Sequence, residues 1–225
     1  VKNKEISVEQ AISMIHDGMR LMVGGFTWVG YPHDLLEALS SSGIKDLTLI
    51  SNDTCSMTVS VGKLVVNRQL KKVIASHVGR NPETGRQVNA GELELEMVPQ
   101  GTFAERIRCG GAGIAGFYTP TGIGTVIEEG KEKRVFDGKE YLLERALRAD
   151  VALVKANRAD KLGNLEMVKT SKNFNPLMAS AADLVIAEVE EIVEVGELPP
   201  ECISVPGILV DYMVKGAKTC CVIQK

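Results

Sequence analysis

The stretch with the most chemical content is residues 17–32, DGMRLMVGGFTWVGYP. Read physically, it is a short apolar strand that runs into Gly24 and Gly25, a loop closing at Gly30, and a helix begun by Pro32. Paired glycines let backbone N–H groups approach a ligand with no Cβ in the way, and the start of the following helix adds a field that favours an anion. Such a loop suits a phosphate, a carboxylate or a developing oxyanion. A tight turn that merely packs strand against helix would use the same glycines. Two phosphate motifs are excluded, because there is no GxxxxGK(S/T) run and GGFTWVG lacks the G-x-G-x-x-G spacing. A second segment, residues 110–124, has six glycines in fifteen positions with Pro120 among them. That composition argues against helix and strand and predicts a fixed loop lining a site.

These loops need elements to hold them. Ser7 with Gln10 forms a capping-box pattern for a first helix that Asp17–Gly18 stops. Residues 19–23 read as a buried strand, 33–42 as a helix closed by Gly43, and 46–51 and 71–76 as further strands. Residues 92–98 (ELELEMV) alternate like a strand with one wet face, and a helix over 102–109 follows. Asp137–Gly138 marks a hairpin between 134–136 and 140–142. Residues 151–155 and 184–187 read as buried strands around a helix at 175–182, with another strand at 192–195. The strand–helix–strand rhythm predicts an α/β fold, a single domain over residues 1–225 with an open, mainly parallel sheet and flanking helices.

Composition bounds the function. The chain has 225 residues, 44% of them apolar, so it can bury one sizeable core without a staple. Its 26 basic and 29 acidic residues, net −3, argue against a nucleic-acid partner. No apolar run approaches a membrane span, and the opening VKNKEISVEQ lacks a signal-peptide apolar region, so a cytoplasmic protein is expected. Cys55, Cys109, Cys202, Cys220 and Cys221, with His16, His33 and His77, show no metal-ligand spacing; reduced thiols, surface imidazoles and no metal are expected. Arg80, Arg86, Arg106 and Arg108 are cations that could meet phosphates, though solvated faces are the simpler expectation. The run EVEEIVE (188–194) reads as a strand with a solvated acidic face, and KEKR (131–134) as a surface turn.

The order acid, glycine, two free positions, three aliphatics, Gly-Gly-Phe, three free positions, glycine, one free position and proline resembles the first signature of the family I coenzyme A transferases. The resemblance runs on through KKVIASHVG (71–79), GELELEMVPQGTFAERIRCGGAGIAG (91–116), FYTPTGIGTVIEEG (117–130), ADVALVKA (149–156) and NFNP (173–176), as in an alpha (A) subunit of the acetate/butyrate–acetoacetate type. Lys172 stands where the family often has arginine, and Cys109 where alanine is common. The resemblance implies a fold shared with ribose-phosphate isomerases and a transfer of coenzyme A between a short-chain acyl-CoA and a short-chain carboxylate. It implies ping-pong kinetics through a glutamyl-CoA thioester, with no cofactor because coenzyme A is itself a substrate.

The nucleophilic glutamate of that family lies in a Ser-Glu-Asn-Gly motif that this chain lacks. The resemblance therefore implies no catalytic residue here and a beta-subunit partner, typically in an α2β2 assembly. It assigns Gly24, Gly25, Phe26, Thr27, Trp28, Val29 and Gly30 to coenzyme A binding. The loop's N–H groups are expected to hold negative charge, the indole of Trp28 to stack on adenine or plug the pocket, and residues 110–124 to lie near the acyl pocket. Two other readings stay open: a sugar-phosphate isomerase on a similar sheet, and a non-catalytic acyl-CoA-binding module.

Overall fold

The computed structural model describes residues 3–217. Strand β1 (Arg20–Val23) shows why the sheet is closed on both faces. Leu21 and Val23 point to one side and Met22 to the other, and all three are fully buried. A strand covered on both faces reads as a continuous apolar run, the habit of parallel sheets under helices. On its two sides lie β2 (Leu47–Ser51) and β8 (Ala149–Asp160), both parallel to it. Beyond β2 come β3 (Leu70–Ala75) and β4 (Glu94–Met97), and beyond β8 come β10 (Ala182–Val193) and β12 (Tyr212–Lys215), all parallel. Past the end of β1, the far half of β8 pairs instead with the short antiparallel β9 (Leu165–Glu166), which carries β11 (Ile203–Val205).

Helices α1 (Val8–Ile12), α2 (His33–Ser41) and α3 (Val61–Val66) cover one face, with α4 (Pro82–Asn89) beside α3. The expected capping box starts α1: Ser7 Oγ accepts from Gln10 N–H, and the Gln10 side chain accepts from Ser7 N–H. Leu35, Leu36 and Leu39 of α2 are fully buried, each contributing about 1.5–3 kcal/mol of transfer free energy. Helices α5 (Gln100–Ala112) and α6 (Asn175–Ser180) cover the other face around Phe103, Ile107 and Met178. The expected mainly parallel α/β sheet is thus present. A separate three-stranded antiparallel sheet of β5 (Gly116–Thr119), β6 (Lys133–Phe136) and β7 (Lys139–Arg145) adds to it, with Asp137–Gly138 turning the expected hairpin.

Several expectations are corrected. Residues 110–124 are not one loop: 110–112 are the last turn of α5, Gly113 caps it at φ 70°, and 116–119 are β5. Packing overrides composition there, because a Cβ on Gly110 would lie 1.9 Å from the Leu147 carbonyl oxygen. Residues 192–195 are not a separate strand, since β10 runs unbroken to Val193. KEKR is only partly a turn, because Lys133 and Arg134 open β6 and Lys131 pairs with the buried Glu144. Cys55 and Cys109 are buried free thiols and Cys202 is a half-buried one, while Cys220 and Cys221 lie outside the described residues.

Candidate functional site

The chain leaves β1 toward β2 on one side and returns in β8 on the other, so the loops after β1 and β8 part at a topological switch point. In open α/β sheets ligands bind in the crevice at such a point, at the carboxyl ends of the strands. Residues 24–30 occupy it. They border an open cleft of ≈ 400 Å³ lined by Phe26, Thr27 and Val29 on one side and by Thr170 and Asn173 on the other.

Within the loop, Phe26 N–H donates to Val29 O at 2.9 Å and Val29 N–H donates back to Phe26 O at 3.0 Å. This closes a tight turn with Thr27 and Trp28 at its tip. Thr27 has φ 54°, a conformation that costs a β-branched residue on the order of 1–3 kcal/mol. Two groups grip it. Asp53, just beyond β2, accepts the Thr27 N–H at 2.9 Å, and Cys55 Sγ–H donates to Thr27 O at 3.3 Å. Burial pushes the Cys55 thiol up to about 11, so it is present as the S–H donor.

From the other side, Asn173 Oδ1 accepts from Gly25 N–H and Asn173 Nδ2 donates to Val29 O, both at 3.1 Å. The fully buried Asn175 donates to Gly30 O at 3.0 Å and accepts the Lys155 N–H at 2.9 Å. Tyr31 fixes the exit, its hydroxyl donating to Asp53 Oδ1 at 3.0 Å; burial and then the Asp53 charge hold its pKa well above the usual phenol range.

This corrects the expected role of the loop's N–H groups. Those of Gly24, Gly25, Phe26, Thr27 and Val29 all donate within the protein, to Leu153 O, Asn173, Val29 O, Asp53 and Phe26 O respectively. Among the described residues only those of Trp28 and Gly30 in the loop lack an acceptor. The start of α2 is likewise occupied by the protein's own anion, since Leu35 N–H donates to Glu188 Oε2 at 3.0 Å. What the loop presents outward is apolar: Phe26 is 39% and Trp28 40% exposed, and the Arg80 guanidinium sits 5.6 Å from the indole centroid. Trp28 is therefore not a buried plug.

Other expected residues fall elsewhere. Arg86 and Arg108 are exposed and paired with Glu83 and Glu105, and Arg80 is exposed at the loop. Arg106 is not on a solvated face. It is 8% exposed, donates to Arg145 O and to Glu96 at 2.7 Å each, and so fastens α5 to β7 of the antiparallel sheet and to β4 of the main one. The acidic run of β10 is not wholly solvated either, because Glu188 is buried against Lys155 Nζ at 3.0 Å. Burial lifts the Glu188 carboxyl above its ordinary range, with Lys155 pulling against the lift. His33 is half-buried, its Nδ1 2.8 Å from Ser60 Oγ. No group of three or more His, Cys, Asp or Glu among the described residues is arranged to hold a metal ion.

Asp53 escaped the sequence reading. The one signal for it was a carboxylate at the carboxyl end of an otherwise apolar strand, LTLISND.

The family profile for coenzyme A transferase matches residues 6–216, nearly the whole described chain. The chain belongs to the coenzyme A transferase family. It is 53% identical to the acetate CoA-transferase subunit alpha of Escherichia coli K12 over 95% of this chain and 97% of that one. It is 49% identical to the acetoacetyl-CoA:acetate/butyrate CoA transferase alpha subunit of Clostridium acetobutylicum, over 96% of this chain and 99% of that one. Among solved structures, an acyl-CoA transferase of E. coli O157:H7, determined as a thioester complex with CoA, superposes with a TM-score of 0.89. At 21% identity that is a likeness of fold; it covers 99% of this chain, which spans 49% of the longer one. No helix among the described residues is long and apolar enough to cross a membrane.

Proposed function

We propose that this chain is the alpha subunit of a cytoplasmic heteromeric CoA-transferase that exchanges coenzyme A between short-chain acyl-CoAs and carboxylates such as acetate, butyrate and acetoacetate. One observation carries the reading: the cleft at the switch point is lined by Phe26, Thr27, Val29, Thr170 and Asn173, apolar and neutral polar groups without a carboxylate. Such a wall can seat an acyl thioester but cannot attack it. The nucleophile then comes from a beta subunit, whose glutamate carboxylate attacks the thioester carbonyl to form an acyl–glutamyl anhydride and free CoA thiolate. The thiolate attacks the glutamyl carbonyl, which releases the first carboxylate and leaves glutamyl-CoA; an incoming acid reverses both steps. Residues 24–30 bind the CoA moiety through exposed side chains, Trp28 above all, more than through a cradle of N–H groups. Arg80 beside the indole suits a phosphate. A sugar-phosphate isomerase would need an acid–base pair facing this cleft, and its lining supplies none.

The test is to purify the chain alone and with the beta subunit, and to follow CoA exchange between butyryl-CoA and acetate or acetoacetate. Exchange is expected for the pair only, and Trp28→Ala is expected to raise the KM for acyl-CoA about tenfold, equivalent to about 1.4 kcal/mol of binding. Turnover of a sugar phosphate by the lone chain, or no exchange by the pair, would overturn the reading.

A further inference from the structure

The geometry points to Asp53 as the positioning residue of the binding loop, a buried latch that holds Thr27 in its unfavourable backbone conformation and so presents Trp28 and Phe26 to the thioester substrate already ordered. The inference rests on the proposed role of residues 24–30. Asp53 is 1% exposed, and its two oxygens accept from four donors. Oδ2 takes the Thr27 N–H and the Asn52 side-chain amide, each at 2.9 Å. Oδ1 takes the Tyr31 hydroxyl at 3.0 Å and the Cys55 N–H at 2.8 Å. One carboxylate thus ties the tip of the loop, its exit and the end of β2 together.

Thr27 is where that tie matters. Positive φ at a hairpin-turn position is normally left to glycine, asparagine or aspartate. A threonine there stays put only if its surroundings over-determine it, and Asp53 on its N–H with Cys55 on its carbonyl do so. A loop already in its bound shape loses less conformational entropy when substrate arrives. Asp53 lies beneath the loop and does not line the cleft, so it acts through Thr27 and not on the substrate.

The first test needs no variant. In the full chain the Thr27 amide should resist hydrogen exchange while the neighbouring Trp28 amide, which has no acceptor among the described residues, exchanges freely. Equal, fast exchange at both positions would overturn the latch.

The second test uses the complex with the beta subunit. Asp53→Asn replaces one acceptor oxygen by a donor, and is expected to raise the KM for acyl-CoA about tenfold while kcat falls by a much smaller factor. Emission from Trp28, the only tryptophan of the chain, should become more open to acrylamide quenching in the isolated subunit. Adding Thr27→Gly should restore KM to the value of Thr27→Gly alone, because glycine holds the turn without a latch. If Asp53 merely supported the end of β2, the glycine would rescue nothing, and that result overturns the inference. Failure of the unmodified pair to exchange CoA would instead strike the functional reading and leave the amide-exchange result standing.

Discussion

In residues 24–30 a missing Cβ makes room above all for side chains, whereas at Gly110 it makes room for backbone. A β-carbon on Gly24 would lie 1.8 Å from Asn175 Oδ1, an amide whose other bonds hold Gly30 and Lys155. A β-carbon on Gly110 would lie 1.9 Å from the carbonyl oxygen of Leu147, in the segment that joins the antiparallel sheet to β8. The first glycine admits a polar network that shapes a loop with two exposed aromatics, Phe26 and Trp28. The second lets a helix end pack flat against the chain. Glycine content alone does not separate a binding loop from a packing contact; what the absent side chain makes room for does.

The sharpest way to break this contrast is Gly110→Ala. The obstructing atom is backbone and cannot rotate away, so the helix end and the segment carrying Leu147 must separate, at a cost of about 3 kcal/mol or more. Chemical denaturation should show that loss, while the fraction still folded, in complex with the beta subunit, keeps its KM for acyl-CoA. A change in KM without loss of stability would place the second segment in the site after all.

Gly24→Ala comes next in size. Here the obstructing atom belongs to a side chain that can turn, so the expected stability loss is smaller, about 2 kcal/mol, most of it from buried hydrogen bonds broken around Asn175. The KM should rise as well, because Asn175 no longer holds Gly30. If stability fell as far as in Gly110→Ala with KM unchanged, the two segments would be the same kind of contact.

The contrast also explains what could be read from the sequence. Strands β1 to β4, α2 begun at Pro32 and the Asp137–Gly138 turn are local patterns, and each lies where expected within a residue or two, whereas β8 and β10 run five and six residues past their expected ends and β12 was not expected. The family signature at 17–32 located the loop. What holds the loop is not local: Asp53 reaches Thr27 across 26 residues and Asn173 reaches Gly25 across 148, and neither pairing leaves a periodicity. Residues 110–112 misled for the opposite reason. Glycine's poor helix propensity was the only local signal, and tertiary close packing outweighed it. Arg106 and Glu188 were expected in solvent because charges usually are, and each is instead buried, Arg106 against Glu96 and Glu144 and Glu188 against Lys155.

The smallest expected effect depends on pH and again separates the two regions. His33, three residues past Gly30, opens α2 with Nδ1 2.8 Å from Ser60 Oγ, and none of the three histidines falls in residues 100–160. Burial, then the nearby Lys155 ammonium, lower the His33 pKa below its ordinary 6.5, against the opposing pull of Asp34. As pH falls through 6.5 the unfolded chain takes up this proton before the folded one does. The folded state is then stabilised less, and the loss continues until pH reaches the depressed folded value. One proton limits the slope to about 1.4 kcal/mol per pH unit. Between pH 7.5 and 5.5, hydrogen exchange corrected for its intrinsic pH dependence should therefore show protection falling around α2 and α3, and holding at the end of α5. His33→Gln keeps a hydrogen-bonding group for Ser60 without the titration, and should remove most of that difference. Equal losses at α2 and α5, or an unchanged profile in His33→Gln, would mean that acid sensitivity does not reside beside the binding loop.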